Sequence, residues 1–357
     1  MTETSLVSAP WLSFLTQQGA SIASPDSTNG TETLQLAEAA ATPFPKQFIA
    51  PLTELGLIAL HGDDAASFLH NQLTNDVERL DLGSARLAGY CTPKGRLLAS
   101  FLMWKDADHI WLQLPRTLLP AIQKRLQMFV LRAKVKLSDQ SDQRVALGLV
   151  GDTAAQVLLQ WFPNLPAQAY AKIDNQHGTL IRLEDSRQAP RYQWILPADQ
   201  AQDYWAQVTS VLRAAPGRAW RLSDIYAGIP VITKATQEQF VPQMINFELV
   251  GGINFKKGCY PGQEIVARSQ YLGKLKRRSL LALVAATAQA GSEVFSSADP
   301  GQPCGMIVNA EPADDGQSAC LVELKLAATE NGSIHLGTPD GPVLQLQALP
   351  YALTEPQ

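Results

Sequence analysis

The sequence predicts an α+β protein of more than one domain, on three observations. The chain has 357 residues, room for two or three domains of about 100–200 residues each. From about residue 50 to residue 278, helical periodicity is mixed with strands in hairpin order, which favours α+β over a doubly wound sheet. After residue 279 helical periodicity disappears. Short apolar runs then alternate with Gly, Pro, Asn and Asp turns, the pattern of a small barrel or sandwich.

Taken in order, residues 1–48 are rich in Ala, Ser and Thr and read as a poorly ordered extension. They have no basic segment leading into an apolar one and no Arg, so neither a signal peptide nor a transit peptide fits. Leu57–Leu60 is a short strand, and Asp63 or Asp64 caps a helix with Ala65, Phe68, Leu69 and Leu73 on one side. Strands follow at Arg86–Cys91, Leu97–Trp104 and His109–Leu114. The tight loop Thr92-Pro93-Lys94-Gly95-Arg96 joins the first two. Thr117 caps an amphipathic helix with Leu118, Ile122, Leu126, Phe129 and Val130 on its apolar face. Ala133–Leu137 alternates like an edge strand, and Val145–Val150 reads as a buried one. Asp152 caps the next helix, to about Phe162, and further strands are expected at Leu180–Leu183 and Tyr192–Leu196. Asp199–Ala214 is the strongest helix signal, stopped by Pro216-Gly217, and Trp220–Ala227 is another helix.

Composition narrows the class. Hydrophobic residues make up 46% and charged residues 17%, enough for a sizeable core. The net charge of −4 excludes a histone-like nucleic-acid binder. Cysteines at 91, 259, 304 and 320 form no CxxC, which argues against a disulfide framework and against a self-contained metal site. A reducing cytoplasm is the expected compartment. The apolar runs are too short to span a bilayer.

Residues 254–271, NFKKGCYPGQEIVARSQY, stand out. Lys256 and Lys257 lead into Gly258, Cys259, Tyr260, Pro261 and Gly262, and a helical pattern opens at Gln263. Pro261 suits a first helical turn, and Glu264 complements the helix dipole. A cysteine before a helix start and beside lysines is in surroundings that favour the thiolate; the alternative is a small buried hydrophobe. Residues 254–278 carry seven bases against one acid, so the remainder of the chain holds −10. This island predicts an anionic ligand, or else a solvated linker at Lys274–Arg278.

The segment KGCYPGQEIVAR resembles the signature of the YgfZ family, folate-binding proteins linked to tRNA modification and iron–sulfur protein maturation. The resemblance extends from about residue 50 to the C-terminus. It takes in Asn71–Val77, the Cys91–Arg96 loop, Trp220 with Ala227–Ile232, and Phe240–Tyr260. It implies the fold of the glycine-cleavage T-protein, an aminomethyltransferase: subdomains around a central channel, here residues 49–278 split near 140–216, and a C-terminal β-barrel over 279–357. It implies tetrahydrofolate or a derivative as cofactor, with Trp220, Tyr260 and Arg268 as candidate contacts. Trp220 either stacks on the pterin or packs as a core residue. A second folate-contacting tryptophan of the family aligns with Leu55, where this chain departs. Cys259, Lys257 and Glu264 are the candidate reactive residues. The acidic pair of the aminomethyltransferases is absent, since the matching positions are Leu98, Ala99 and Ser100, so aminomethyl transfer is not expected.

The implied function is a cytoplasmic, monomeric, folate-binding accessory protein for iron–sulfur assembly or client enzymes, touching tRNA only indirectly. A folate-dependent one-carbon transferase or demethylase is the alternative enzyme. Direct tRNA binding through the basic island and Tyr260 or Tyr271 is a third reading.

Overall fold

The computed structural model describes residues 9–23, 33–36, 45–271 and 275–354. The chain forms two compact units. Unit 1 gathers the residues up to Phe68, Arg79–Arg86 and Leu102–Trp220; unit 2 gathers Leu69–Glu78, Leu87–Phe101 and the chain from Arg221 on.

Unit 1 is built on sheets. Strands β3 (Phe48–Pro51), β9 (Arg144–Val150), β10 (Lys172–Asn175), β11 (Gly178–Ser186) and β12 (Ala189–Pro197) form one sheet, in the order β10-β11-β12-β9-β3. Helices α4 (Asp152–Leu158) and α5 (Ala201–Thr209) add apolar faces to its core, which holds Leu147, Leu149, Phe162, Trp194 and Trp205. A second sheet has the order β5-β6-β7-β4-β8, from β4 (Leu55–His61), β5 (Ala85–Cys91), β6 (Leu97–Lys105), β7 (Ile110–Pro115) and β8 (Lys136–Asp139); β4, β7 and β8 belong to unit 1, whereas β5 from Leu87 and β6 up to Phe101 belong to unit 2. The expected Ala133–Leu137 strand is thus shifted along the chain, but it is an edge strand as its alternation predicts.

Several boundaries differ from the sequence reading for local reasons. Ala9–Gln17 is a helix (α1), and β1 (Ala20–Ala23) pairs with β2 (Thr33–Leu36), so this part is not loose chain; α2 (Ala65–His70) and α6 (Gly217–Tyr226) are the short helices expected after Asp64 and around Trp220. In α1, Trp11 and Leu15, four residues apart, are 1% and 0% exposed in the unit 1 core, and Trp11 lies edge-on to Trp205 at 5.8 Å. Residues 1–8, 24–32 and 37–44 of that expected extension lie outside the described residues. Helix α3 (Leu119–Met128) is capped at Leu118, not Thr117, with proline in its first turn, and Phe129 beyond its end is exposed. Helix α5 ends at Thr209. The hydroxyls of Thr209 and Ser210 bond back to the carbonyls of Trp205 (2.8 Å) and Gln207 (2.6 Å), a competition that loosens helix ends, and Val211 is exposed.

Unit 2 contains the expected β-rich tail. β13 (Arg277–Val284), β14 (Glu293–Ser296), β15 (Asp299–Pro312), β16 (Ser318–Lys325), β17 (Ile334–Leu336) and β18 (Leu344–Gln347) form one antiparallel sheet. Its order is β17-β14-β15-β16-β13-β18, and a bridge between His335 and Val343 draws its two edges together into a curled half-barrel. The half-barrel core holds Val294, Ile307, Cys320, Val322 and Leu324. Unit 2 also carries α7 (Gln263–Tyr271) and the segments that surround it.

Candidate functional site

The loop before α7 is a proline–glycine turn. Gln263 N–H donates to the Tyr260 carbonyl (3.1 Å), with Pro261 second and Gly262 third at φ +83°. That is the demand of a type II turn, and it places Pro261 outside the helix, not in its first turn as the sequence reading has it. A second proline turn faces it. Gly95 N–H donates to the Thr92 carbonyl (2.9 Å), and Gly95 has φ +70°. A Cβ on Gly262 would lie 2.7 Å from Gly95 Cα, and one on Gly95 would lie 2.9 Å from Ile265 Cβ. Glycine at both positions is what lets the two backbones meet.

The segment that follows Leu69 fastens the loop from its other side. Thr74 Oγ1 donates to the Gly252 carbonyl (2.6 Å) and accepts from Gly89 N–H (2.7 Å). Asn75 Nδ2 donates to the carbonyls of Leu87 and Gly251, both at 2.7 Å. Asn254 N–H donates to the Thr74 carbonyl (3.0 Å). The stretch NQLTNDV is therefore a set of stitches between β5 and the cysteine loop.

Lys257 is half-buried. Its ammonium donates to the carbonyls of His70, the last residue of a helix, and, at 2.8 Å, Leu73, just past it, and it lies 4.9 Å from the centre of the Tyr260 ring. Burial pulls its pKa down to about 8, against the opposing pull of Asp76, Glu78 and Cys259. Tyr260 is buried, and burial together with nearby Cys91 raises its phenol pKa.

His70 is the residue that the sequence reading misses. It is 8% exposed; its Nε2 faces Gly258 N–H at 3.3 Å and its Nδ1 lies 3.2 Å from Asp76 Oδ1 and 3.9 Å from Glu78 Oε2. The Asp76 contact is at ion-pair distance but off the line of a hydrogen bond, so Nδ1 is buried without an aligned acceptor. The signal was a histidine directly before the NQLTNDV stretch, 189 residues upstream of Cys259.

The other candidates fall into two groups. Cys259 is exposed, as are Glu264 in the first turn of α7 and Arg268 in its last. Cys91, Cys304 and Cys320 are buried, and burial pushes the Cys91 and Cys320 thiols up to about 12. Trp220, in unit 1, is 3% exposed; the Arg191 guanidinium lies 4.4 Å from its ring centre, and Gly148 leaves space for its six-membered ring. The core alternative describes its surroundings. The basic island is also smaller than its sequence. Arg277 pairs with Glu323, and buried Arg278 pairs with buried Glu248, so both charges are matched internally. Lys256, Arg268 and Lys276 are exposed, and Lys274 lies outside the described residues.

These features have known counterparts. Residues 47–181 match the family model of the GCVT N-terminal domain. In fold, the chain is similar to the glycine cleavage system aminomethyltransferase T from Bartonella henselae, with a TM-score of 0.77 and 16% identity over 97% of this chain and 98% of that one. The class is thus the T-protein fold with a C-terminal half-barrel. In sequence, the chain is 31% identical to the tRNA-modifying protein YgfZ of Colwellia psychrerythraea (87% of this chain, 95% of the relative). It is 29% identical to the Escherichia coli protein of that name (88% of this chain, 100% of the relative). The chain belongs to the YgfZ family.

Proposed function

We infer that this protein is a cytoplasmic, tetrahydrofolate-binding accessory factor that supports iron–sulfur cluster assembly or repair in client enzymes, tRNA-modifying ones among them. Cys259 is its reactive thiol. The observation that carries the reading is the contrast among the cysteines: Cys259 is exposed on a loop locked by two opposed glycine turns, while the other three are buried. An exposed thiol on a preorganised loop beside a cation is the setting of reactive cysteines.

The residues fit one end of folate better than the other. Its glutamate tail is anionic, and Lys256, Arg268 and Lys276 are exposed cations of unit 2. Trp220 and Tyr260 are buried with a cation over each ring, so they act as walls and not as open stacking faces. When bound, tetrahydrofolate supplies one-carbon carrier chemistry. Aminomethyl transfer is not part of the proposal, because Leu98, Ala99 and Ser100 offer no carboxylate and the Ser100 hydroxyl accepts from Ile232 N–H (3.0 Å). Support for tRNA-modifying clients comes from the names of the relatives.

The test is complementation of a strain lacking its own homologue, read as iron–sulfur enzyme activity, with folate affinity measured by calorimetry. Cys259→Ser is expected to bind folate like the native protein and fail to restore activity. Full restoration sinks the thiol role; absence of folate binding in the native protein sinks the cofactor.

A further inference from the structure

We propose that His70 is the proton acceptor of the Cys259 thiol and that Asp76 is its positioning residue. The proposal deepens the reading of Cys259 as a reactive thiol and rests on it. Three observations meet at the histidine. Its ring is nine-tenths buried, and its Nδ1 has no aligned hydrogen bond. Its Nε2 reaches the backbone one residue before the exposed cysteine, at 3.3 Å from Gly258 N. A Cβ at residue 258 would lie 3.3 Å from the same nitrogen, so glycine there is what allows the ring this close to the loop.

The tautomer follows from the neighbours. Nε2 faces an N–H donor and is the lone-pair side; Nδ1 faces the Asp76 carboxylate and carries the proton. In the transfer, the S–H bond of Cys259 breaks and its proton passes to His70 Nε2. Gly258 N–H releases that lone pair, a small loss for a contact longer than the usual 2.9–3.0 Å. The product is a thiolate and an imidazolium whose Nδ1 lies 3.2 Å from Asp76 Oδ1, at ion-pair distance, so the carboxylate charge stabilises the charged ring. Asp76 and Glu78 face the ring itself; Lys257 sits on the His70 carbonyl, and beyond Lys257 come Cys259 and Tyr260, with Cys91 beside the tyrosine. Lys257 is a poorer acceptor, because its nitrogen already donates to the carbonyls of His70 and Leu73.

The experiment is the pH profile of Cys259 alkylation by iodoacetamide, followed by peptide mass spectrometry on the full chain, with Cys259→Ser as the blank. The native profile is expected to show an inflection in the range where histidine titrates. His70→Gln keeps an acceptor for Gly258 N–H but does not titrate; it is expected to lose that inflection and slow alkylation at pH 7 by about tenfold. Asp76→Asn is expected to keep the inflection, displace it, and slow the reaction less. A native profile with only the alkaline rise of an unassisted thiol overturns the proposal without any variant. So does a His70→Gln profile that superimposes on the native one. Alkylation needs no folate and no client enzyme, so its failure is distinct from failure of complementation or of folate binding.

Discussion

Two places in the molecule are made of the same three parts and behave differently. In unit 1, Trp220 has the Arg191 guanidinium over its ring and a glycine, Gly148, against it. In unit 2, Tyr260 has the Lys257 ammonium near its ring and leads into Gly262, whose missing Cβ admits the neighbouring loop. The first set is closed: Arg191 is 0% exposed and Trp220 3%. The second is half open, because the lysine is fixed on two carbonyls and the residue after Gly258 is an exposed cysteine. An aromatic–cation pair is thus a core fitting or the edge of a site according to what its neighbours leave uncovered, and the pair alone does not say which.

The sharpest way to break this comparison is at Trp220. Trp220→Ala is expected to destabilise unit 1 by about 3–5 kcal/mol, the usual loss for deleting a large buried aromatic side chain, read as a lower midpoint in urea. Native stability combined with lost folate affinity would make the tryptophan a ligand platform after all and erase the difference between the two regions.

Gly262→Ala comes next. Its φ of +83° disfavours any side chain, and the new Cβ would meet the Thr92 carbonyl and Gly95. A destabilisation of about 2–3 kcal/mol is expected from the strain and the clash together. Gly258→Ala is the control, since its Cβ would approach only the His70 ring, at 3.3 Å, and about 1 kcal/mol or less is expected. Equal effects at the two glycines would show that the facing turns do not hold the loop.

Much of this was legible in the chain. The alternation of β6, β7 and β9 and the turn-punctuated tail were read from period and punctuation, because both are local. The exposed Cys259 was read from a dense motif. What escaped reading is non-local or small. Helix α1 was hidden because its short apolar run, with Trp11 and Leu15 buried, lies inside a longer Ala-, Ser- and Thr-rich stretch that reads as loose chain when taken whole. Trp220 stayed open between two roles because it lies on a helix and its covering Arg191 comes from strand β12, 29 residues away. Asp76 lay inside a recognised stretch, but its contact with His70 depends on the turn after Leu69, and the approach of His70 to Gly258 spans 188 residues. The basic island was overcounted for the same reason: Glu248 and Glu323, which match Arg278 and Arg277, lie far off in sequence or on a neighbouring strand.

The smallest expected effect separates the two cations by pH. Lys257 has a folded pKa of about 8, below its ordinary 10.5, mainly because burial disfavours the charged form. Below pH 8 the lysine is charged in both the folded and unfolded chain, and the penalty is fully present. Between about 8 and 10.5 the unfolded chain binds more protons than the folded one, so stability rises with pH. Lys257→Met removes this titration. The stability of the native protein minus that of Lys257→Met is therefore expected to climb from pH 7.5 to pH 10 by roughly 1–2 kcal/mol, discounted for an ammonium only partly shielded from water. Arg191 does not titrate in this range, so the same difference taken with Arg191→Met is expected to stay flat. A falling difference for Lys257 would mean that its ammonium is favoured in the folded loop, and would make it, and not His70, the charge that holds the Cys259 thiolate.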